Sequence, residues 1–201
     1  MMLTLPFALP AHLPAAVAAA REAMSRHGVM ALPTETFYGL AVDPRDEEAV
    51  ARVFAIKGRD GGKALLVVAA SVAQACELAD LDEVRRTALA AAWPAPVTVV
   101  LPARRRLAAA AETVAVRVPD HALLRALLAR VGPLTATSAN RSGVPPCATP
   151  AAVAAALATD IDLLLDGGAT PGGLPSTVVD WTGERPVVLR PGAWPLPSSW
   201  R

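Results

Sequence analysis

Val29-Met30-Ala31-Leu32 runs straight into Pro33-Thr34-Glu35-Thr36, and the chain continues Phe37-Tyr38-Gly39-Leu40-Ala41-Val42-Asp43-Pro44. A short apolar run between a glycine and a proline reads as a buried strand over 29–32, with the polar PTET cluster just beyond its carboxyl end. On the amino-terminal side, Leu13, Val17, Ala20 and Met24 share one helical face, which predicts a helix over 14–27 capped by Gly28. On the other side, Asp43 before Pro44 predicts an N-cap with proline at the first helical position, opening a helix that runs to about Ile56. Helix, strand, polar turn and helix in that order point to an α/β domain.

The same alternation extends outward to both ends. Ala64–Ala70 reads as a strand, and Ser71 with Gln74 as a capping box for the helix after it. Asp82–Trp93 reads as a helical segment leading through WPAP into the strand VTVVLPA. TVAVRVP, HALLRALLARVG, LTATSAN, TPAAVAAALATD and IDLLLDGG continue the series, and STVVDWT with PVVLRPG closes it as a hairpin across GER. That hairpin makes the sheet mixed rather than purely parallel. At 201 residues, without repeats or a low-complexity linker, the chain suits a single domain over 1–201 with its core at about 15–193.

Composition excludes several classes. Apolar residues make up 53% of the chain and charged residues 18%, yet the apolar runs break before the roughly 20 residues that a membrane span requires. The first residues lack the basic start of a secretory signal and carry Pro6, Pro10 and Pro14, so a cytoplasmic location with no membrane association is expected. Cys76 and Cys147 have neither metal-site spacing nor a disulfide framework. A net charge of +1 does not itself indicate nucleic acid. GxxxxGK[ST], GxGxxG and GxSxG are all missing, and His12, His27 and His121 stand apart from any metal-ligand partner.

What remains are polar groups placed after strands, where the ligands of open α/β sheets bind. PTET follows VMAL, TSAN follows LTA, and RPG follows VVL. Singly, each is an ordinary turn. Two positions stand out. Lys57 lies seven residues after Val50 and continues the apolar stripe Val50, Val53 and Phe54, which directs it across a cavity rim unless the helix end frays and the ammonium reaches water. In TVAVRVP, a period of two puts Thr113, Ala115 and Arg117 on one face, which is either an exposed face or a site for a carboxylate or phosphate.

PTETFYGLAVD, KGR at 57–59, WPAPVTVVL, VAVRVPDH, TSANRSGVPP, DGG at 166–168, STVVD and VVLRPG together resemble the YrdC/TsaC family of threonylcarbamoyl-AMP synthases, in family order over about residues 15–193. The resemblance implies a twisted, open mixed sheet flanked by helices around a large concave basic cavity. It implies a nucleotidyltransferase that joins L-threonine, bicarbonate or CO2 and ATP into threonylcarbamoyl-AMP and pyrophosphate, for the N6-threonylcarbamoyladenosine modification of tRNA. Mg2+ is expected with the nucleotide, and tRNA threonylcarbamoyl-transfer proteins are expected downstream.

Carried over by position, Lys57, Arg59, Ser138 and Asn140 would be the catalytic set. Arg59, Lys63, Thr113, Ser138 and Arg190 would serve ATP, and Thr36, Arg117 and Ser176 would serve threonine. The chain departs from the family in the loop Asp60-Gly61-Gly62-Lys63-Ala64 and at Ala95, where the family has glycine. Two rivals follow from the same residues. One is the related carbamoyl-adenylate domain of hydrogenase maturation proteins. The other is a double-stranded RNA or tRNA-binding module without synthase activity, for which Arg104, Arg105 and Arg106 form a local cluster.

Overall fold

The computed structural model describes residues 1–58 and 64–200. Its strands are β1 (Leu3–Pro6), β2 (Met30–Pro33), β3 (Tyr38–Ala41), β4 (Leu66–Val68), β5 (Val97–Pro102), β6 (Thr113–Arg117), β7 (Leu134–Thr135), β8 (Thr137–Ser138), β9 (Leu163–Asp166), β10 (Thr177–Asp180) and β11 (Val187–Arg190). Its α-helices are α1 (Leu13–Ser25), α2 (Glu47–Lys57), α3 (Val72–Ala75), α4 (Glu83–Ala92), α5 (Ala122–Val131) and α6 (Pro150–Leu157).

The fold is the expected mixed α/β, with its strands divided between two sheets. One runs β1-β9-β2-β3-β8 and the other β11-β10-β5-β6-β4-β7. In the first, β9 pairs parallel with β1 and β2, while β3 pairs antiparallel with β2 and β8. In the second, β10 with β5 and β4 with β6 are parallel and the other pairs antiparallel, including the expected terminal hairpin. Every residue of β2 and β3 is buried, because helices cover both faces of the first sheet. Val29, Ala31, Leu40 and Val42 pack with Val50, Val53, Val153 and Leu157 of α2 and α6. Met30, Leu32 and Ala41 pack with Ala16 and Ala20 of α1 and Leu124 and Leu128 of α5. A third cluster joins α3 and α4 to β5 and β6.

The segment from Leu134 to Ser138 belongs to both sheets. Leu134 and Thr135 pair with β4, whereas Thr137 and Ser138 pair with β3. At the crossing, Thr135 N donates to Val42 O at 2.9 Å and Ala136 N to Leu66 O at 2.8 Å, so the segment is tied to each sheet in turn.

Before α1, β1 pairs parallel with β9, and Pro6 is tolerated because β1 is an edge strand. At the other end Trp200 packs at a tilt against Trp181 and Trp194, with ring centroids 4.8 and 5.3 Å away. Several expectations are corrected. The buried face of α1 is Leu13, Ala16, Ala20 and Ala23, rotated from the predicted stripe. Gly28 is not the left-handed cap; His27 takes that conformation at φ 54°. Gly28 is needed for space, because a Cβ there would stand 2.7 Å from Ala23 O.

Asp46, not Asp43, caps α2, accepting hydrogen bonds from the backbone N–H groups of Glu48 and Ala49. The box at Ser71 is half formed, since Gln74 Oε1 accepts from Ala70 N rather than from Ser71 N. Among the described residues no helix is long and apolar enough to cross a membrane.

Candidate active site

A cavity of ≈560 Å3 opens where the two sheets meet, within the range of small-molecule sites. Its walls include Thr34 and Thr36 after β2, Ala136 to Ser138 at the sheet crossing, Thr98 of β5, Ala115 and Arg117 of β6, Ser176 before β10, and Arg190 of β11. Thr36, Arg117, Ser138, Ser176 and Arg190, separated widely in sequence, therefore share one hollow.

Arg117 ends β6 on the face that alternation assigned it: Val114 and Val116 turn into the core, while Ala115 and Arg117 line the cavity. Its side chain is 4% exposed, and Nη1 lies 3.0 Å from Oε1 of Glu35, itself 10% exposed. Both Glu35 oxygens and Arg117 Nε are closed to solvent with no hydrogen-bond partner, so the contact is one of charge rather than of an aligned bond. Burial, and after it the charge of Arg190, lower the Arg117 pKa from its usual value, while Glu35 opposes the shift.

The Ser176 hydroxyl lies 3.0 Å from Thr98 Oγ1. Arg190 Nη2 donates to Ser176 O at 2.8 Å, which joins β11 to the residue preceding β10. On the opposite wall, Thr34 Oγ1 lies 3.1 Å from Thr36 Oγ1 and donates to Phe37 O at 2.7 Å, bending the chain from β2 into β3. Tyr38, wholly buried, fixes the DGG turn: its hydroxyl donates to Gly168 O at 2.8 Å and accepts from Gly167 N at 3.1 Å.

Lys57 is 1% exposed at the end of α2, buried as its place in the stripe implied, but it does not reach across the cavity rim as expected. Its ammonium is engaged with the SAN turn, donating to Ser138 O at 2.7 Å and to Asn140 O and Oδ1 at 3.1 Å each. Asn140 Oδ1 also accepts from Ser138 Oγ at 2.6 Å. The three residues thus form one cross-link behind the wall on which Ser138 sits, and neither Lys57 nor Asn140 lines the cavity.

Thr113 does not line it either; it begins β6, at the end away from Arg117. Arg59 and Lys63 lie outside the described residues. A metal site built from Asn140 does not fit, because its only side-chain oxygen already accepts from an ammonium and a hydroxyl. Among the described residues no group of three or more His, Cys, Asp or Glu could hold an ion.

The histidines hold local structure rather than reactive positions. His121 caps α5, its Nδ1 accepting from Leu124 N at 3.1 Å, and burial lowers its pKa. His12 Nδ1 faces the N–H groups of Ala8 and Leu9. Arg104, Arg105 and Arg106 are exposed, and Arg104 donates to Cys76 O.

Glu35, Thr34, Thr98 and Tyr38 escaped the sequence reading. Thr98 carried a signal, a lone hydroxyl inside the apolar VTVVL, and Glu35 carried one in being the sole acid in the polar cluster after β2.

The chain is 42% identical over 170 residues to a threonylcarbamoyl-AMP synthase of Chromohalobacter salexigens, covering 82% of this chain and 91% of that protein. It is 37% identical over 183 residues to a threonylcarbamoyl-AMP synthase of Bacillus subtilis, covering 88% of this chain but only 53% of that longer relative. The crystal structure of Pyrococcus abyssi Sua5 complexed with L-threonine superposes with a TM-score of 0.87 at 35% identity, over 95% of this chain and 58% of that one. The Sua5/YciO/YrdC family model, described as telomere recombination, matches residues 22–192. Fold, spacing and sequence agree: the chain belongs to the Sua5/YciO/YrdC family.

Proposed function

We propose that this chain is a threonylcarbamoyl-AMP synthase, condensing L-threonine, bicarbonate or CO2 and ATP into threonylcarbamoyl-AMP and pyrophosphate. The observation that carries the reading is the buried Arg117 guanidinium on the wall of a cavity that also bears the hydroxyls of Thr36, Thr98, Ser138 and Ser176. A guanidinium presents a fork of donors that matches a carboxylate. Hydroxyls beside it suit the polar atoms of a small amino acid.

In the reaction, the threonine amine takes up CO2 and releases a proton to give a carbamate. A carbamate oxygen then attacks the α-phosphorus of ATP and pyrophosphate leaves. Positioning and charge stabilisation suffice for such a transfer, so no protein nucleophile is needed. Arg117 takes the threonine carboxylate, with Thr36 and Ser176 against the rest of the amino acid. Ser138 and Arg190 face the nucleotide, while Lys57 and Asn140 hold Ser138 in place from behind.

Arg59 and Lys63 are assigned to the phosphates by family position. Magnesium would enter on the phosphates rather than on protein ligands. The product would be consumed downstream by proteins that transfer threonylcarbamoyl to tRNA, in the cytoplasm.

The test is pyrophosphate release measured with each substrate omitted in turn: release that needs threonine, bicarbonate and ATP together is expected, and release without threonine refutes the reading. Arg117→Ala would leave Glu35 buried without its counter-charge, a loss of about 3–5 kcal/mol in stability. Arg117→Lys keeps the charge and removes the fork. It is expected to weaken threonine binding at least about tenfold while changing ATP binding little, and equal losses for both ligands would place the amino acid elsewhere.

A further inference from the structure

We propose that Glu35 is a specificity-determining residue that acts through Arg117, making that position accept a singly charged carboxylate and reject phosphate. This rests on the reading of Arg117 as the threonine carboxylate site. Its basis is a carboxylate, its oxygens closed to solvent, whose one ion pair among the described residues is with Arg117, at 3.0 Å; its field also reaches the His121 ring. Neither of its oxygens is used for hydrogen bonding. Glu35 stands between Thr34 and Thr36, both on the cavity wall, but its own oxygens are shut off from solvent. It does not touch a ligand in this arrangement; its charge is felt through the guanidinium.

A buried arginine among hydroxyls is by itself at least as good a site for phosphate as for carboxylate. That is a hazard in a cavity where nucleotide phosphates and pyrophosphate lie next to the amino acid, and where Arg190 adds a second cation. A fixed negative charge behind the guanidinium changes the balance. Repulsion scales with ligand charge, so a phosphate group carrying two charges meets about twice the opposition that a carboxylate meets. A zwitterionic amino acid also carries an ammonium, which the same charge attracts. The pair therefore offers net neutrality to an incoming ligand and keeps the geometry of the fork, which a lone arginine would not do.

Isothermal titration of the full chain with L-threonine and with inorganic pyrophosphate, separately and then together, tests this. In the wild type, threonine is expected to bind, and saturating threonine is expected to leave pyrophosphate binding in place; one-for-one displacement of pyrophosphate by threonine overturns the proposal. That arm needs no variant to fold. In Glu35→Gln, which preserves shape, the ratio of the pyrophosphate Kd to the threonine Kd is expected to fall at least about tenfold, and threonine now displaces pyrophosphate. A smaller change in the ratio overturns the proposal, as does a uniform weakening of both ligands, which is what a merely structural role would produce. A wild type that fails to bind threonine overturns the functional reading and this inference with it, whereas normal threonine binding with an unchanged ratio in Glu35→Gln removes the inference alone.

Discussion

Replacing Lys57 by methionine keeps the stem that fills the end of α2 and removes only the ammonium. In the native chain that ammonium donates to Ser138 O, Asn140 O and Asn140 Oδ1 at 2.7, 3.1 and 3.1 Å. Two of these acceptors keep a second donor: Ser138 O accepts from Asn140 N, and Asn140 Oδ1 accepts from Ser138 Oγ. Asn140 O is the acceptor most exposed to the loss. A hydrogen bond to a charged group contributes about 1.5–3 kcal/mol and a buried carbonyl left without a donor costs about 1–3 kcal/mol.

Against this, the buried ammonium no longer has to be desolvated, which returns part of the sum. A net loss of about 3 kcal/mol follows, equivalent to a fall in Tm of about 6–12 °C for a domain of this size. Calorimetry measures it directly. Turnover is expected to fall by more than the stability change implies, because Ser138 loses its anchor while threonine affinity, set on the Arg117 wall, stays within about threefold. A Lys57→Met protein whose Tm matches the wild type would refute the cross-link.

Tyr38 is the only tyrosine, so its ionisation can be followed by ultraviolet difference absorbance without interference from another phenol. Burial, with the charge of Asp166 adding to it, pushes its pKa from 10.0 up to about 12. A raised folded-state value means that its contribution to stability is complete below pH 10.0 and is lost as pH rises through about 12; phenolate appearing at the ordinary value in the folded chain would contradict the burial. Tyr38→Phe removes both hydroxyl contacts to the DGG turn and is expected to cost about 1–2 kcal/mol by urea unfolding. A Cβ on residue 192 would stand 2.3 Å from Pro175 O and 2.5 Å from Ser176 C and Thr177 N. Gly192→Ala should therefore displace Ser176, costing about 1–3 kcal/mol and weakening threonine in calorimetric titration.

What the sequence made legible follows from how local each signal is. The strand at 30–33 and the polar cluster after it are neighbours in sequence, and Arg117 was assigned to the right face by a period of two within one strand. Lys57 was legible because an amphipathic stripe marks every buried position, charged or not. β3 was missed for a physical reason. Tyr38–Ala41 is buried on both faces and shows no alternation, and its glycine resembles a turn residue when read locally. β1 was hidden by prolines that an edge strand tolerates. The Asp43-Pro44 signal lost to Asp46, whose carboxylate reaches two backbone N–H groups. Glu35 could not be understood from its neighbours, because its partner lies in another sheet and no periodicity links residue 35 to residue 117.

Gly39 shows why the missed strand matters to the site. It pairs in register with Ser138, and a Cβ there would meet Ala136 Cα at 3.3 Å and its carbonyl carbon at 3.4 Å. The segment it faces cannot easily retreat, since Thr135 is bonded to Val42 and Ala136 to Leu66 on the two different sheets. Gly39→Ala must therefore move either β3 or the crossing, at about 1–3 kcal/mol for the overpacking. Ala136, Thr137 and Ser138 are cavity wall, and Ser138 O anchors Lys57, so the displacement is delivered to the site rather than absorbed at the surface. The variant is expected to remain folded, with a lowered urea midpoint, and to lose at least about tenfold in kcat/KM for ATP without any change in the groups that meet the substrate. A Gly39→Ala protein with lowered stability and unaltered kinetics would show that the sheet crossing bears on the fold alone and does not set the shape of the cavity.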